Sequence, residues 1–346
     1  MNLSERERIL IVKPSSLGDI VHALPAVEAI RRAAPAARID WLVNSEWVPL
    51  LHGIPFLDRV VPFPRREFRG VSGWFDAKRW VETDLKPAKY ELAVDFQGLL
   101  RSALISRLGG AGEIVGFGNA REAAPLFYHR RVYVRDSGRR HAVDRNLELA
   151  KALGADTATV TFTLPPGEPV SETGGLPQDF VLLHPFSRGP GKSLSVEEVR
   201  ELVALLSPRR VVLVGFPEEP LDETWPENVL DCLGRTSLPQ LIHLIRESAW
   251  TVSVDSGPMH LAAAIDERVL SLHTWSNPAV VGPWRPGSWI MRDSQLVKVA
   301  DLEPDRFPER RDLKARFASR SRLFSESDIV AVAEFLNQRL SIPKTT

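Results

Sequence analysis

Short, fully apolar runs that end in polar loops recur through the 346 residues and constrain the fold more than any other feature. The first is Ile9–Val12, which leads into the polar loop Lys13–Asp19 before apolar residues return at helical spacing. Strands that are apolar throughout are typical of parallel sheets, because helices cover both faces of such sheets. The chain is therefore predicted to fold as successive β–α units.

The Pro- and Gly-rich segment Pro165–Pro177 has no periodicity and predicts a linker between two sets of β–α units. The length also exceeds the ~250–300 residues at which single cores stop growing. We predict a first domain over 1–165, a linker over 166–177, a second domain over 178–323 and a final helix within 324–346. The expected fold is α/β, with two Rossmann-like, doubly wound domains facing each other across a cleft.

Composition narrows the classes of partner. Acidic and basic residues balance at 44 each, which argues against a nucleic-acid partner. The single cysteine, Cys232, excludes an intrachain disulfide and a cysteine metal cluster. The chain opens on charged residues, and no apolar run approaches the ~20 residues that cross a bilayer. We expect a cytoplasmic monomer that makes transient contact with a membrane surface.

A tight polar turn and a helix start follow the apolar strand Thr251–Val254. The turn is Asp255–Gly257, and His260 lies in the first turn of the helix. Free N–H groups at a helix start favour a bound anion. An ordinary helix start capped by Ser256 explains the turn equally well.

Two further loops of the second half suit a nucleotide. Lys192 lies ahead of a capped helix, where its ammonium is placed to meet a phosphate, although a solvated lysine is the simpler interpretation of that residue alone. Glu218 or Glu219 follows the strand Val211–Val214, where a carboxylate accepts hydrogen bonds from ribose hydroxyls. The segment Gly191–Ser193 lacks the earlier glycine of a P-loop, and no Gly-x-Gly-x-x-Gly follows a strand. We predict a nucleotide diphosphate site and disfavour a dehydrogenase.

The first half offers an acid and several arginines. Asp19 stands in the first turn of a helix, where it either stabilises the helix terminus or acts as a general base. The guanidinium groups of Arg65, Arg66, Arg69 and Arg121 suit acidic groups of an acceptor, because each binds two oxygens at once. Any one of these arginines taken singly is better explained as a solvated surface charge.

Four segments resemble glycosyltransferase family 9, the ADP-heptose lipopolysaccharide heptosyltransferases. They are Val12–Asp19, Val94–Ser102, Ala120–Tyr128 with His141–Val143, and Val254–His260. The second and third segments favour the type I enzymes of the family. The resemblance extends from Ile9 to Pro283.

This resemblance implies a GT-B fold, in which the first domain binds the acceptor, the second binds the nucleotide sugar and the last helix crosses back to the first domain. It implies inverting transfer of L-glycero-D-manno-heptose from ADP-heptose to a Kdo residue of the lipopolysaccharide inner core, at the cytoplasmic face of the inner membrane. No metal or other cofactor is expected. The catalytic residues are then Asp19, as general base, and Lys192. The donor-binding residues are Ser187, Lys192, Glu219, Asp255, Ser256, Gly257 and His260. The acceptor-binding residues are Ser16, Gly18, Arg65, Arg66, Arg69, Gln97 and Arg121.

Several positions depart from the family pattern. Ser256 stands where the family more often has threonine, Phe186 replaces a small hydroxyl residue before Ser187, and Thr274–Ser276 replaces Gly-Pro-Thr. Three alternatives stay open. They are a family 9 transferase with another donor or acceptor, such as a type II enzyme; a sugar-nucleotide epimerase; and a non-catalytic nucleotide-sugar-binding protein of the same fold.

Overall fold

A computed structural model describes residues 3–68, 70–170, 175–217, 221 and 224–340, without the side chains of 70–72 and 74. The chain folds as two compact units, Met1–Pro165 and Pro166–Thr346, which divide at the start of the predicted linker. Each unit is built on one sheet whose strands are parallel or nearly all parallel. The predicted α/β class with two Rossmann-like domains is confirmed.

The sheet of the first unit has six strands. They are β1 Arg8–Val12, β2 Arg38–Asn44, β3 Arg59–Phe63, β4 Leu92–Asp95, β5 Glu113–Phe117 and β6 Arg130–Val132. The helices are α1 Leu17–Ala33, α2 Val48–Leu51, α3 Gly70–Trp80, α4 Leu100–Leu108 and α5 Ala142–Ala152. All strands are parallel, in the order β3-β2-β1-β4-β5-β6. The order reverses at β1, so the switch point, where open α/β sheets bind ligands, lies between the carboxyl ends of β1 and β4.

The sheet of the second unit has seven strands. They are β7 Val181–His184, β8 Val211–Leu213, β9 Val229–Asp231, β10 Trp250–Val254, β11 Val269–Leu272, β12 Trp289–Arg292 and β13 Gln295–Lys298. The helices are α6 Val196–Leu206, α7 Leu238–Glu247, α8 Gly257–Ile265, α9 Pro278–Val281, α10 Lys314–Ala318 and α11 Glu326–Leu340. The order is β13-β12-β11-β10-β7-β8-β9, and only β13 is antiparallel to its neighbour among the strands described. This sheet reverses between β7 and β10, which defines a second switch point.

Helix α11 belongs to the core of the second unit. It packs against α6, and its apolar residues Ile329, Val332 and Leu336 are buried there. The connection before it is held by Glu198 of α6, a fully buried carboxylate that accepts hydrogen bonds from the backbone N–H groups of Leu323 and Phe324. The return of this helix to the first domain stays a prediction.

Several elements have no counterpart in the sequence-based prediction. Helix α3, the three-residue strand β9 and the hairpin of β12 and β13 are the clearest examples. The hairpin turns at Asp293 and Ser294, which adopt φ of 50° and 58° without a glycine to signal the turn. No helix in the described ranges combines the length and the apolar character that a membrane span requires.

Candidate functional site

The loop after β1 is fixed to the loop after β4 at the first switch point. The buried ammonium of Lys13 donates to the carbonyl oxygen of Phe96 at 3.1 Å, and the Ser15 N–H donates to Oε1 of Gln97 at 3.3 Å. The predicted residue Gln97 thus holds the loop that leads to Asp19. Sequence reasoning did not single out Lys13, whose position inside the loop gave no sign of its burial.

Asp19 occupies the first turn of α1, as predicted. Its Oδ2 accepts hydrogen bonds from the Ser16 N–H at 3.0 Å and from Ser16 Oγ at 2.7 Å, and its Oδ1 lies 3.7 Å from Nζ of Lys13. The helix-terminus role is therefore present. The Asp19 side chain is 48% exposed, so its carboxylate is also open to a ligand. Gly18 is buried beside Asp19 and contacts a ligand only through its backbone atoms.

Arg145 of α5 is a charged neighbour of Asp19 that sequence reasoning missed. Its guanidinium is largely buried, and burial lowers its pKa, while the nearby Asp19 acts to raise it and Arg121 to lower it. The side chain of Arg145 makes no hydrogen bond or ion pair within the described residues. A cation that is partly withdrawn from water and forms no salt bridge within the described residues is suited to an anionic ligand bound beside Asp19. The sequence offered one sign of its role. Arg145 lies four residues after His141, which belongs to a segment that carries the family resemblance.

The other predicted arginines divide into three groups. Arg65 lines a pocket of about 160 Å³ together with Ser15 and Gln97. Arg66 is directed to Glu46, at an N–O distance of 3.4 Å on the surface. Arg69 lies outside the described residues. Arg101, a residue of α4 that was not predicted, lines the same pocket as Arg65.

In the second unit, an ion pair joins the loops after β7 and β10. The Nζ of Lys192 donates to Oδ2 of Asp255 at 2.5 Å, and the Asp255 side chain is almost fully buried. Strands β7 and β10 are adjacent and parallel, which brings these residues together across 63 positions of sequence. Both were predicted to bind the donor, and the structure unites them at the second switch point.

The pKa of Asp255 lies near 2 despite its burial. Burial alone would raise this pKa, but the neighbouring His273 and Lys192 and a hydrogen bond from Ser276 lower it to about 2. Burial lowers the pKa of His273 to about 4, so this imidazole is neutral at pH 7. Lys192 is therefore the cation that faces Asp255 at neutral pH.

The hydroxyl groups of Ser276 and Ser271 and the imidazole of His273 extend the ion pair into the interior. Ser276 contacts Asp255, and its Oγ lies 3.0 Å from Nδ1 of His273. The other ring nitrogen of His273 lies 3.1 Å from Oγ of Ser271. This buried chain fixes the orientation of the carboxylate, and none of its three members beyond Asp255 was predicted to lie in the site.

The loop that contains Ser187 is held in one shape by Ser193. The Ser187 N–H donates to Ser193 Oγ at 2.9 Å, and Ser193 Oγ donates back to the Ser187 carbonyl oxygen at 3.1 Å. The Gly189 N–H then donates to Ser187 Oγ at 3.3 Å. The loop that leads to Lys192 is therefore held in shape by its own hydrogen bonds.

The segment Thr274–Ser276, where the chain departs from the family, covers this loop. Thr274 Oγ1 donates to the Gly191 carbonyl oxygen at 2.7 Å, and the indole of Trp275 lies 4.7 Å from Nζ of Lys192. An aromatic face stabilises a nearby cation. Trp275 therefore helps to position the ammonium that Asp255 also holds.

Ser256 and His260 lie at the start of α8. Ser256 precedes the helix, but its Oγ contacts Ser253 Oγ at 3.3 Å and Nδ1 of His184 at 3.4 Å and makes no capping hydrogen bond. The interpretation of Ser256 as an ordinary cap is therefore wrong for its side chain. Gly257 and His260 lie in the first turn, where N–H groups and the helix dipole favour an anion.

Glu218 and Glu219 lie outside the described residues, so their assignment stays a prediction. Within the described ranges, no group of three His, Cys, Asp or Glu side chains is arranged to hold a metal ion.

Comparison with known proteins identifies the family. A family model described as "Glycosyltransferase family 9 (heptosyltransferase)" matches residues 79–306. The "Lipopolysaccharide heptosyltransferase 1" of Salmonella typhimurium is 33% identical over 297 residues, which cover 80% of this chain and 90% of the relative. The protein of the same name from Escherichia coli K12 is 30% identical over 311 residues, covering 82% of this chain and 93% of the relative.

Solved structures give the same result. The "E. coli heptosyltransferase WaaC with ADP-2-deoxy-2-fluoro heptose" superposes with a TM-score of 0.68 at 26% identity, over 86% of this chain and 96% of that one. The "E. coli heptosyltransferase WaaC with ADP" gives a TM-score of 0.72 at 24% identity, over 96% and 99%, which shows the shared fold. From the family model and the extent of these relatives, the chain belongs to glycosyltransferase family 9 (heptosyltransferase) and is a glycosyltransferase.

Proposed function

We propose that this glycosyltransferase moves L-glycero-D-manno-heptose from ADP-heptose to a Kdo residue of the lipopolysaccharide inner core, with inversion at the anomeric carbon. The observation that carries the proposal is the Lys192–Asp255 pair beside the start of α8, at the switch point of the second unit. The relatives named lipopolysaccharide heptosyltransferase 1 support heptose as the sugar and lipopolysaccharide as the class of acceptor.

The donor half of the reaction is the binding of a diphosphate. The helix start at Gly257–His260 offers N–H groups and the positive end of a helix dipole. The Lys192 ammonium adds a charge that neutralises the departing ADP. Asp255 is too deeply buried to be a general base for the acceptor, and its carboxylate instead fixes Lys192. Ser187, Ser256 and Glu219 complete the proposed donor contacts.

The acceptor half rests on the groups around Asp19. Kdo carries a carboxylate, and guanidinium groups bind carboxylates through two parallel hydrogen bonds. Arg65, Arg121 and Arg145 form no salt bridge within the described residues, and Asp19 lies near Arg145. We assign the acceptor to them, to Gln97 and to the Ser16–Gly18 segment, and we retain Arg66 and Arg69 as further contacts.

The proposed chemistry is a single displacement. Asp19 accepts the proton of an acceptor hydroxyl while the hydroxyl oxygen forms a bond to the anomeric carbon. The bond from that carbon to the β-phosphate oxygen breaks, and the electron pair leaves with ADP. Attack opposite to the leaving group inverts the configuration. General-base assistance of this kind typically contributes ~10²–10⁴-fold.

The test is a screen of nucleotide sugars against a Kdo₂–lipid A acceptor, with product mass and ADP release as readouts. The proposal requires a product heavier by one heptose and ADP release that depends on the acceptor. A product with another sugar or acceptor would identify a different family 9 transferase. Conversion of the donor without acceptor would identify an epimerase, and binding of the donor without release would identify a binding protein.

A further inference from the structure

A stripe of leucines on α4 is left outside the core. Leu100, Leu104 and Leu108 are spaced four residues apart and so lie on one helix face. Leu100 and Leu104 are only partly buried, and Leu108 is 44% exposed. Apolar surface that remains open to water forgoes about 25 cal/mol for each Å² that burial would have removed. A continuous stripe of this kind marks a surface that is suited to an apolar ligand.

An aromatic cluster faces this stripe across a cavity. The rings of Phe63, Phe68 and Trp80 contact one another, with centroids 5.3 to 6.0 Å apart. Together with the leucines of α4 they line a cavity of about 650 Å³. Most of the described residues that line this cavity are apolar, and its charged residues, among them Lys78 and Glu82, are exposed.

Two arginines connect the apolar cavity to the acceptor region. Arg65 and Arg101 line the apolar cavity and also the smaller polar pocket that contains Ser15 and Gln97. Phe63, Ile105 and Glu122 are shared by both as well, and the Glu122 carboxylate accepts a hydrogen bond from the Leu100 N–H at 3.3 Å. The order along the surface is therefore the loop that leads to Asp19, then a pair of guanidinium groups, then an apolar cavity. This order matches an amphiphile whose sugar, anionic group and hydrocarbon follow one another.

We propose that the cavity between α4 and the Phe63 cluster binds a fatty acyl chain of the acceptor, whose anionic saccharide is held by Arg65 and Arg101. The inference rests on the proposed function, because it takes the acceptor to be a sugar carried on a lipid. An apolar occupant without an anionic group would leave the adjacent pair of guanidinium groups without a partner. The cavity thus extends the acceptor site from the sugar to its lipid anchor.

The test compares two acceptors that differ only in their acyl chains. Kdo₂–lipid A, kept below the concentration at which it aggregates, is compared with its fully deacylated form. Burial of each methylene strengthens binding about fourfold when the hydrophobic gain is realised in full. We therefore expect a KM at least about tenfold lower for the acylated acceptor, because burial of two methylenes already suffices for that ratio.

A matched pair of variants locates the effect. Leu108→Glu places a charge in the cavity at a residue that is 44% exposed, so the fold tolerates it. Leu205→Glu, on α6 of the second unit, is the control, because Leu205 is 43% exposed and lies similarly near the end of its helix. Leu108→Glu should remove the preference for the acylated acceptor and leave the KM of the deacylated one unchanged. Leu205→Glu should behave as wild type.

Equal KM values for the two acceptors in the wild type would overturn the proposal. An equal rise in KM for both acceptors in Leu108→Glu would show a structural effect of the substitution and would also overturn the proposal. If neither acceptor is converted, the proposed function fails on its own. Calorimetric binding of the two acceptors without donor then decides the acyl-chain proposal by the same comparison.

Discussion

The ammonium of Lys192 and the buried carboxylate of Asp255 form a hydrogen-bonded ion pair at 2.5 Å. A buried pair of this kind is costly to break from one side, because the remaining charge has neither water nor a partner. The residue that is proposed to neutralise the leaving diphosphate is thus also needed to compensate a charge in the fold. Binding and stability can be separated at this pair by experiment.

Lys192→Ala is expected to lower both the stability of the fold and the affinity for the donor. The free energy of unfolding should fall by about 3 kcal/mol, as for a buried pair that loses one partner. Donor affinity should fall about tenfold to a hundredfold, the value of a hydrogen bond to a charged group. Thermal denaturation and calorimetric titration with ADP give the two quantities.

The double variant Lys192→Ala/Asp255→Asn is the control for this prediction. Removing the uncompensated carboxylate should restore most of the stability, while donor affinity should stay low. Recovery of donor affinity in the double variant would mean that Lys192 does not contact the donor.

Asp19→Ala tests the general base. Turnover should fall at least about a hundredfold while ADP affinity barely changes, because a base acts only on the acceptor hydroxyl. The variant also loses the hydrogen bonds from Ser16, so a decrease in stability of about 1 kcal/mol should accompany it. Single-turnover kinetics with saturating donor isolate the chemical step.

Asp328→Ala offers a control with the same local geometry. In α11, Ser325 donates to Asp328 from its N–H at 2.9 Å and from its Oγ at 2.7 Å, much as Ser16 does to Asp19. The stability loss should be similar in the two variants, with turnover retained only in Asp328→Ala. Wild-type turnover in Asp19→Ala would exclude Asp19 as the base.

Arg145→Ala tests the arginine that was absent from the sequence-based site. Loss of a charged hydrogen bond to the acceptor carboxylate should raise the acceptor KM about tenfold to a hundredfold. The KM of the donor should not change. Steady-state kinetics with each substrate varied in turn make the distinction, and an acceptor KM equal to that of the wild type would remove Arg145 from the site.

Acid should destabilise the second unit through its buried histidines. Burial lowers the pKa of His184 and of His273 to about 4, below the ordinary value of 6.5. Between pH 6.5 and 4 the unfolded state binds more protons than the folded state, so stability falls as the pH falls through this window. Each histidine should account for about 3 kcal/mol at the lower limit.

Denaturation midpoints measured from pH 7 to pH 4 check this dependence. His273→Asn should have a shallower slope than the wild type over that window. Asp255 stays ionised in the folded protein over this window, and it adds to the fall in stability only near pH 4, where the unfolded carboxyl begins to bind protons. An unchanged slope in both His184→Asn and His273→Asn would show that the pKa values of these imidazoles do not differ between the folded and unfolded states.

The parts of the fold that the sequence predicted are those with a strong local signal. Apolar runs and Ser-x-x-Glu or Ser-x-x-Gln caps located β7, α6 and α7 to within a residue or two. Helix α3 was missed because Gly70 and Gly73 in its first turn are typical of a loop, and the β12–β13 hairpin because its turn contains no glycine. Both failures come from elements whose form is set by their surroundings.

The candidate site was predictable in its residue types but not in its pairings. The positions of Asp19, Lys192 and Asp255 follow from their place after strands. The Lys192–Asp255 pair depends on the adjacency of β7 and β10, which local pattern does not encode. Arg145 was missed because an arginine on an amphipathic helix is ordinarily a solvated charge, and only packing reveals its burial.

The reciprocal hydrogen bonds between Ser187 and Ser193 have a consequence for the speed of the catalytic cycle. A loop that must be ordered by its ligand weakens binding by the conformational entropy it loses at each encounter. Here that ordering is completed once, when the protein folds. We therefore expect that ordering of this loop does not limit the association or release of a nucleotide at the proposed donor site.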